Sequence, residues 1–458
     1  MFKLRRSFVA AACVAATGFA ACGVAQADAL YFDFNKNLGP PTASLFLFGA
    51  AGQTATVENL AGFSQNVSFG VDGFFNLPIP SIYQQSGTGI LNTGFRVVSP
   101  DPIAGYFINR ASASTDMTYL LGSAALGNNY VVASQGGGFG EGSQVAIHAT
   151  LDNTAVTFTP KGGAAINVVL NAGETYKYAG GSTNLTGSFV SSDKAVAVFG
   201  GHECAQVPVG QVACDTMLEQ MIPTNRLSKT YALTASQAAA VAGSASDLVR
   251  VIATVDNTQV KVGGIVVATL NKGDFHEFSL SSNTGTTVEA SEAVMVAQYL
   301  KGTGNGPGPT DPAMTLIPGS DTWLNKYRLS TPTGGQSFPV NYASLVLDTD
   351  DLASLLLNGA TVNTSGCTGI AGTLYSRCNV DLPVGLFDLT SADPFLVMLG
   401  GGGSFDSYLT YGGATFAPGI SPPPPPPPPN GVPEPESLLL MGAALAGLAM
   451  TRRRQAKS

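Results

Sequence analysis

Tyr130-Val131-Val132-Ala133, Val145-Ala146-Ile147-His148-Ala149-Thr150, Ala155-Val156-Thr157-Phe158, Val168-Val169-Leu170, Thr175-Tyr176-Lys177-Tyr178 and Ala195-Val196-Ala197-Val198-Phe199 are short β-branched or aromatic runs. Asp152-Asn153-Thr154 and Asn171-Ala172-Gly173 lie between them. Asn and Gly tolerate left-handed backbone, and short polar side chains bond nearby N–H groups, so these triplets read as turns. Runs of period two broken by such turns predict an antiparallel β module.

The module recurs, and the repeat decides the architecture. A small or polar residue beside an acidic one precedes an apolar run at Ser99-Pro100-Asp101-Pro102-Ile103, Ser192-Asp193-Lys194-Ala195-Val196, Ser291-Glu292-Ala293-Val294 and Ala392-Asp393-Pro394-Phe395. An Asp follows at Asp116, Asp215, Asp311 and Asp406, and after the first three comes a Tyr, at Tyr130, Tyr231 and Tyr327. Gly turns lead into aromatic strands at Gly73-Phe74-Phe75, Gly173-Glu174-Thr175-Tyr176, Gly273-Asp274-Phe275 and Gly385-Leu386-Phe387. Residues 30–415 then hold four units of about 96 residues. The expectation is an all-β fold of four tandem repeats. About seven strands per unit suit a sandwich; the alternative is a propeller with two blades per unit.

Composition narrows the function. Of 458 residues, 45% are hydrophobic and only 11% charged, against about 25% charged in a typical soluble domain. Between residues 28 and 431 stand 15 basic and 28 acidic side chains. That acidic balance, without a Lys/Arg cluster, excludes nucleic acid as a partner. The apolar content excludes a disordered chain.

Both ends carry targeting chemistry. Lys3, Arg5 and Arg6, the apolar stretch from Phe8 to Ala21, and Val24-Ala25-Gln26-Ala27 make residues 1–27 a signal peptide for signal peptidase. A lipoprotein signal at Phe19-Ala20-Ala21-Cys22 is the rival. Residues 416–431 are a Pro-rich linker, in which Pro422 to Pro429 predict a polyproline II rod of ~25 Å. Pro433-Glu434-Pro435 follows, then an apolar helix over 437–451 and Arg452-Arg453-Arg454. The apolar run from Leu438 to Met450 rises only ~20 Å, short of a ~30 Å hydrocarbon core, and the arginines hold the tail in the cytoplasm. This order over 432–454 resembles the PEP-CTERM sorting signal of Gram-negative bacteria. The resemblance implies an exosortase, an intramembrane cysteine transpeptidase, as processing partner and Pro433, Glu434 and Pro435 as its recognition residues. The precursor would be membrane-anchored by its C-terminal helix and the product surface-located or extracellular.

Between these ends the stretch Ser134 to Pro223 resembles the IgGFc-binding protein N-terminal domain. Ser143-Gln144-Val145-Ala146, Asp152-Asn153-Thr154, Leu170-Asn171-Ala172-Gly173-Glu174, Ser191-Ser192-Asp193-Lys194-Ala195-Val196-Ala197-Val198, Gly201-His202-Glu203-Cys204 and Cys214-Asp215 carry the likeness. It extends over most of 40–400 and is firmest in the second and third units. The resemblance implies a secreted or surface protein. The family's name records one member's Fc binding, which transfers to no position here.

Beyond the signal, four Cys form two close pairs, Cys204/Cys214 and Cys367/Cys378. In an exported chain these predict two local disulfides, since a zinc site would want C-x₂₋₄-C spacing. His148, His202 and His276 occupy different repeat positions, and no nucleophile elbow or phosphate loop is present; Gly335-Gln336-Ser337-Phe338-Pro339 fails at its last residue. An enzyme is not expected, and neither is a cofactor. The recurrent Asp residues fit backbone-capping turns better than Ca²⁺ ligation, and Asp348, Asp350 and Asp351 form the one weak Ca²⁺ candidate. The function expected is a cell-surface or extracellular-matrix protein whose repeats bind polysaccharide or glycoprotein, in adhesion or biofilm matrix. The alternatives are a structural envelope component without a discrete ligand and, more remotely, a surface hydrolase joining His202 or His276 to Ser and Asp. A glycan binder would show exposed aromatics on equivalent loops; Trp323 and scattered Tyr are the candidates.

Overall fold

The computed structural model describes residues 28–211, 213–241, 245–303 and 310–415. The expected signal peptide, Pro-rich linker and C-terminal helix, and the sorting motif, lie outside the described residues.

Four β units follow one another over 28–119, 127–220, 230–316 and 324–411. Each has eight principal strands in two antiparallel sheets; two short strands are additional, Gly89–Leu91, which pairs with Thr175–Ala179 of the second unit, and Thr368–Gly369, which pairs with Tyr375–Asp381. In the second unit the strands are Gly127–Val131, Phe139–Ala149, Thr154–Thr159, Ile166–Leu170 and Thr175–Ala179. Phe189–Ala205 then serves as both sixth and seventh strand, and Asp215–Gln220 is the eighth. The outer sheet runs in the order first, sixth, third, fourth, and the inner sheet fifth, second, seventh, eighth. Such crossed order is that of a sandwich, not of a meandering propeller blade.

Patterning distinguishes the two sheets. Third strands alternate, as in the buried–exposed pattern of Thr154–Thr159, because one face of the outer sheet meets water. Inner-sheet strands are apolar on both faces. In the first unit, Leu45, Leu47 and Phe107 join that unit's own core, whereas Phe46, Phe48, Tyr106 and Ile108 join the core of the fourth unit. The inner sheets of units two, three and four likewise complete the cores of units one, two and three. The four sandwiches therefore close into a ring. The closing seam is further tied by Tyr106 Oη donating to Gly412 O at 3.0 Å and by an Arg110–Asp406 ion pair at 3.0 Å.

The repeat landmarks fall mostly on equivalent places. All four acidic crossovers join sixth to seventh strands. Tyr130, Tyr231 and Tyr327 lie in first strands, and each donates its hydroxyl at 2.5 Å to the carbonyl at that crossover, Val196, Val294 and Phe395. Gly73, Gly173 and Gly273 take positive φ (66°, 86° and 80°) in the turn before the fifth strand. Gly385 does not belong with them. It opens Leu386–Gly403, the sixth strand, and the fifth-strand turn of the fourth unit holds Gly372 (φ 75°) instead. Two-residue third and fourth strands and a loop stapled by Cys367–Cys378 shift the register there.

Candidate functional site

The eighth strands of the four units, Ser114–Tyr119, Asp215–Gln220, Ala313–Leu316 and Asp406–Tyr411, meet on the axis of the ring. They are not paired by backbone ladders with one another; side chains bridge them. Thr118 Oγ1 accepts from Gln220 N at 2.8 Å, and Thr410 Oγ1 accepts from Tyr119 N at 3.1 Å. Thr118 Oγ1 also donates to Glu219 Oε2 at 2.8 Å.

One carboxylate sits among all four strands. Asp116, fully buried, accepts on Oδ1 from Met117 N (3.0 Å) and Leu409 N (3.3 Å), and on Oδ2 from Leu218 N (3.0 Å) and Met314 N (3.1 Å). Each donor comes from the equivalent residue of a different unit. Burial pushes the Asp116 carboxyl well above its ordinary range, and the four N–H groups pull against that. With two donors on each oxygen no lone pair is left for a proton, so the geometry is matched to the carboxylate.

This hub corrects the fourfold Asp expectation. Counting from its donors, Asp215, Asp311 and Asp406 are each three residues before their unit's donor, and in the first unit that place is Ser114. Asp116 stands instead where Met217, Ala313 and Tyr408 stand. Asp215, Asp311 and Asp406 ring the mouth of the axis, beside the loops that join seventh to eighth strands. Burial first, and the neighbouring carboxylate of Asp406 second, raise Asp311 to about 7. Burial raises Asp406 to about 6, against the pull of Arg110, and raises Asp215 well above its usual range, with Asp406 and Asp311 adding.

The remaining predicted residues are dispersed. Cys204–Cys214 and Cys367–Cys378 are disulfides with Cα atoms 5.0 and 4.4 Å apart. The first staples the loop at the mouth of the axis. His148 is fully buried, with Nδ1 3.5 Å from Asp33 Oδ2. His202 Nε2 lies 2.8 Å from Gly137 O, and burial lowers the ring to about 4. His276 stands apart from both, on Phe275–Ser281 of the third unit. Asp348 caps the short helix Thr349–Ser354 by accepting from Asp350 N, and Asp351 accepts from Asp393 N. These carboxylates are used on backbone. Among the described residues no group of three or more His, Cys, Asp or Glu could hold a metal ion. Trp323 is buried, donating to Pro318 O at 3.3 Å.

Sequence reasoning missed the face around this mouth. Second strands begin, seventh strands end and eighth strands begin at one end of the inner sheets. Their loops expose Leu38, Phe139, Val209, Val241, Val340 and Phe405, between 41% and 61% accessible. At the opposite end, the last eighth strand hands over to Gly412–Thr415, where Thr415 N donates to Thr322 O.

The family model for IgGFc binding protein matches residues 116–401, and that for the PEP-CTERM protein-sorting motif matches 431–454. The human IgGFc-binding protein is 25% identical over 291 residues, which cover 60% of this chain but only 5% of the human protein. Two solved structures match only weakly. A Ca²⁺-stabilized ice-binding adhesin of an Antarctic bacterium is 11% identical at a TM-score of 0.12, covering 83% of this chain and 95% of that one. A Streptomyces avermitilis α-L-rhamnosidase is 11% identical at 0.13, covering 68% and 40%. Neither carries an argument. Among the described residues no helix is long and apolar enough to cross a membrane. The sorting motif marks the chain for secretion and surface association in a Gram-negative bacterium. From the last strand of its first unit to the seventh strand of its fourth, the chain belongs to the IgGFc-binding protein family.

Proposed function

We propose that this protein is an exosortase-sorted surface protein whose ring of sandwiches is a rigid mount for one binding face, the loop face at the mouth of the axis, directed at matrix polysaccharide or glycoprotein. The observation that carries the reading is the placement of loops and chain exit. Six exposed apolar side chains emerge at one end, and the chain runs toward its sorting signal from the other. Scattered exposed apolar residues are ordinary, but a set rimming one face marks an interaction surface. Phe139 and Phe405 on that face are aromatics a glycan or glycoprotein could cover. The role is binding and not catalysis: the three histidines stand apart, and the His148–Asp33 pair is sealed from solvent.

The test is an array of polysaccharides, glycoproteins and matrix proteins probed with the purified exported protein and with a Phe139→Ser/Phe405→Ser variant. Binding that the variant loses is expected. No binding to any surface or matrix fraction would leave the structural envelope role in its place.

A further inference from the structure

The fifth strand is the edge of each inner sheet, and three of these edges are closed to a further strand. In the second unit Thr175–Ala179 is covered by Gly89–Leu91, a segment of the first unit, with Thr175 opposite Leu91, Tyr176 opposite Ile90 and Lys177 opposite Gly89. In the fourth, Tyr375–Asp381 is covered by Thr368–Gly369. In the first, Phe74–Ile79 carries Pro78, and a proline on an edge has no N–H to give a neighbour. The third unit has neither device. Among the described residues Phe275–Ser281 pairs with Ser246–Ala253 alone, and its seven residues include no proline.

The phase of the ladders shows what that edge presents. Gly49 N donates to Gly73 O, Ala149 N to Glu174 O and Ala253 N to Asp274 O. Every second residue from Gly73, Glu174 and Asp274 onward therefore turns its N–H and C=O inward, and those between turn theirs to the edge. Pro78, Ala179 and Ser279 share one edge-facing place in that count, and Ala179 N accordingly donates to Thr88 Oγ1 at 3.0 Å. Phe275, Glu277 and Ser279 present the same backbone groups with no strand beside them. Covered Thr175, Tyr176 and Lys177 are buried, whereas Phe275 and His276 are half-buried and Glu277 is exposed. Beyond Phe275 the seam with the second unit opens into a groove of about 280 Å³, bounded by the turn at 160–163, Phe189 and Lys272, along which a bound chain can continue.

We infer that Phe275–Ser281 is an acceptor edge for one extended strand of a polypeptide partner, taken antiparallel in the place that Gly89–Leu91 fills in the second unit. The filled seam identifies the occupant. Two neighbouring units leave room there for a lone strand, which sets glycine opposite the long Lys177 side chain and apolar residues opposite Tyr176 and Thr175. Glu277 stands where Lys177 stands and is held by Arg250 Nε at 2.7 Å, so the partner segment is small there and apolar on toward Phe275. Main-chain hydrogen bonds supply the affinity and these side-chain places the selectivity. A sheet edge of a second copy would bring its flanking hairpins into a seam that Lys161 and Asp274 already bridge at 2.8 Å. The inference goes beyond the loop-face reading and does not depend on it.

The probe is a fluorescein-labelled peptide with the sequence of residues 86–93, titrated by fluorescence polarisation into the purified exported protein, with hydrogen exchange read over 275–281. It should bind and protect that strand. Methylating the peptide nitrogen of Leu91, which faces the acceptor, should weaken binding roughly tenfold or more, the worth of one hydrogen bond and a clash. Methylating that of Ile90, which faces away, should leave it unchanged. Ser279→Pro, which copies Pro78, should abolish binding and leave the circular dichroism as it was, and the methylated pair reads the same contact on unaltered protein. No binding at millimolar peptide, equal loss from both methylations, equal binding to Ser279→Pro, or protection confined to 175–179 would each overturn the assignment.

Discussion

Replacing Asp116 by Asn changes one atom at the point where four repeat units meet. The carboxylate accepts four backbone N–H groups, two per oxygen. In Asp116→Asn one oxygen becomes an NH₂, so two of those N–H groups lose their acceptor and face a donor. A buried donor left unpaired costs about 1–3 kcal/mol, which puts the loss at about 2–6 kcal/mol. The removal of a buried charge offsets part of this. At about 1.4 kcal/mol per decade, the central strands should exchange their amides roughly 30- to 10⁴-fold faster. Hydrogen-exchange mass spectrometry of the purified protein reads peptides over 114–119, 215–220, 313–316 and 406–411 separately. The expectation is that strands of at least two units lose protection together, because each oxygen serves two units and either amide orientation strips two. Protection lost only around Met117, or unchanged throughout, would refute the hub.

Other outcomes follow from the same geometry. Tyr231→Phe removes a hydroxyl that donates to Val294 O and accepts from Ser228 N, and should lower stability by about 1–3 kcal/mol in urea unfolding; no change would show the crossover bond to be idle. Asp311 and Asp406 have folded-state values raised to about 7 and about 6. Folding therefore favours their protonated forms, and stability should fall as pH rises from about 4 to about 7; a melting temperature higher at pH 8 than at pH 5 would contradict the crowded acidic mouth. Non-reducing peptide mapping should return Cys204–Cys214 and Cys367–Cys378, and a cross-unit pair such as Cys204–Cys378 would contradict the unit boundaries.

Local chemistry was legible in the sequence. The acidic crossovers, the first-strand Tyr residues and the pairing of cysteines 10 and 11 residues apart all depend on neighbours within one unit. The contrast between alternating third strands and the unbroken Ala195 to Phe199 run already separates a solvated sheet from one buried on both faces. What stayed hidden depends on closure. Asp116 looked like a fourth member of the Asp series because its spacing to Asp215 differs from the true one, through Ser114, by two residues. Its role appears only when four strands distant in sequence share one carboxylate. Gly385 misled for a related reason, since an altered third-to-fifth strand segment in the last unit moved the turn to Gly372, which keeps a spacing of 99 from Gly273.

That the ring is made for the cell surface is tested most directly at the chain's other end. C-terminal peptide mass spectrometry of protein recovered from the surface or medium should find molecules that end near Pro433-Glu434-Pro435 and lack Arg452-Arg453-Arg454. Glu434→Ala with Pro435→Ala should leave the precursor unprocessed in the inner membrane. An intact basic tail on the bulk of the surface-located protein would contradict sorting by an exosortase and leave an ordinary anchor.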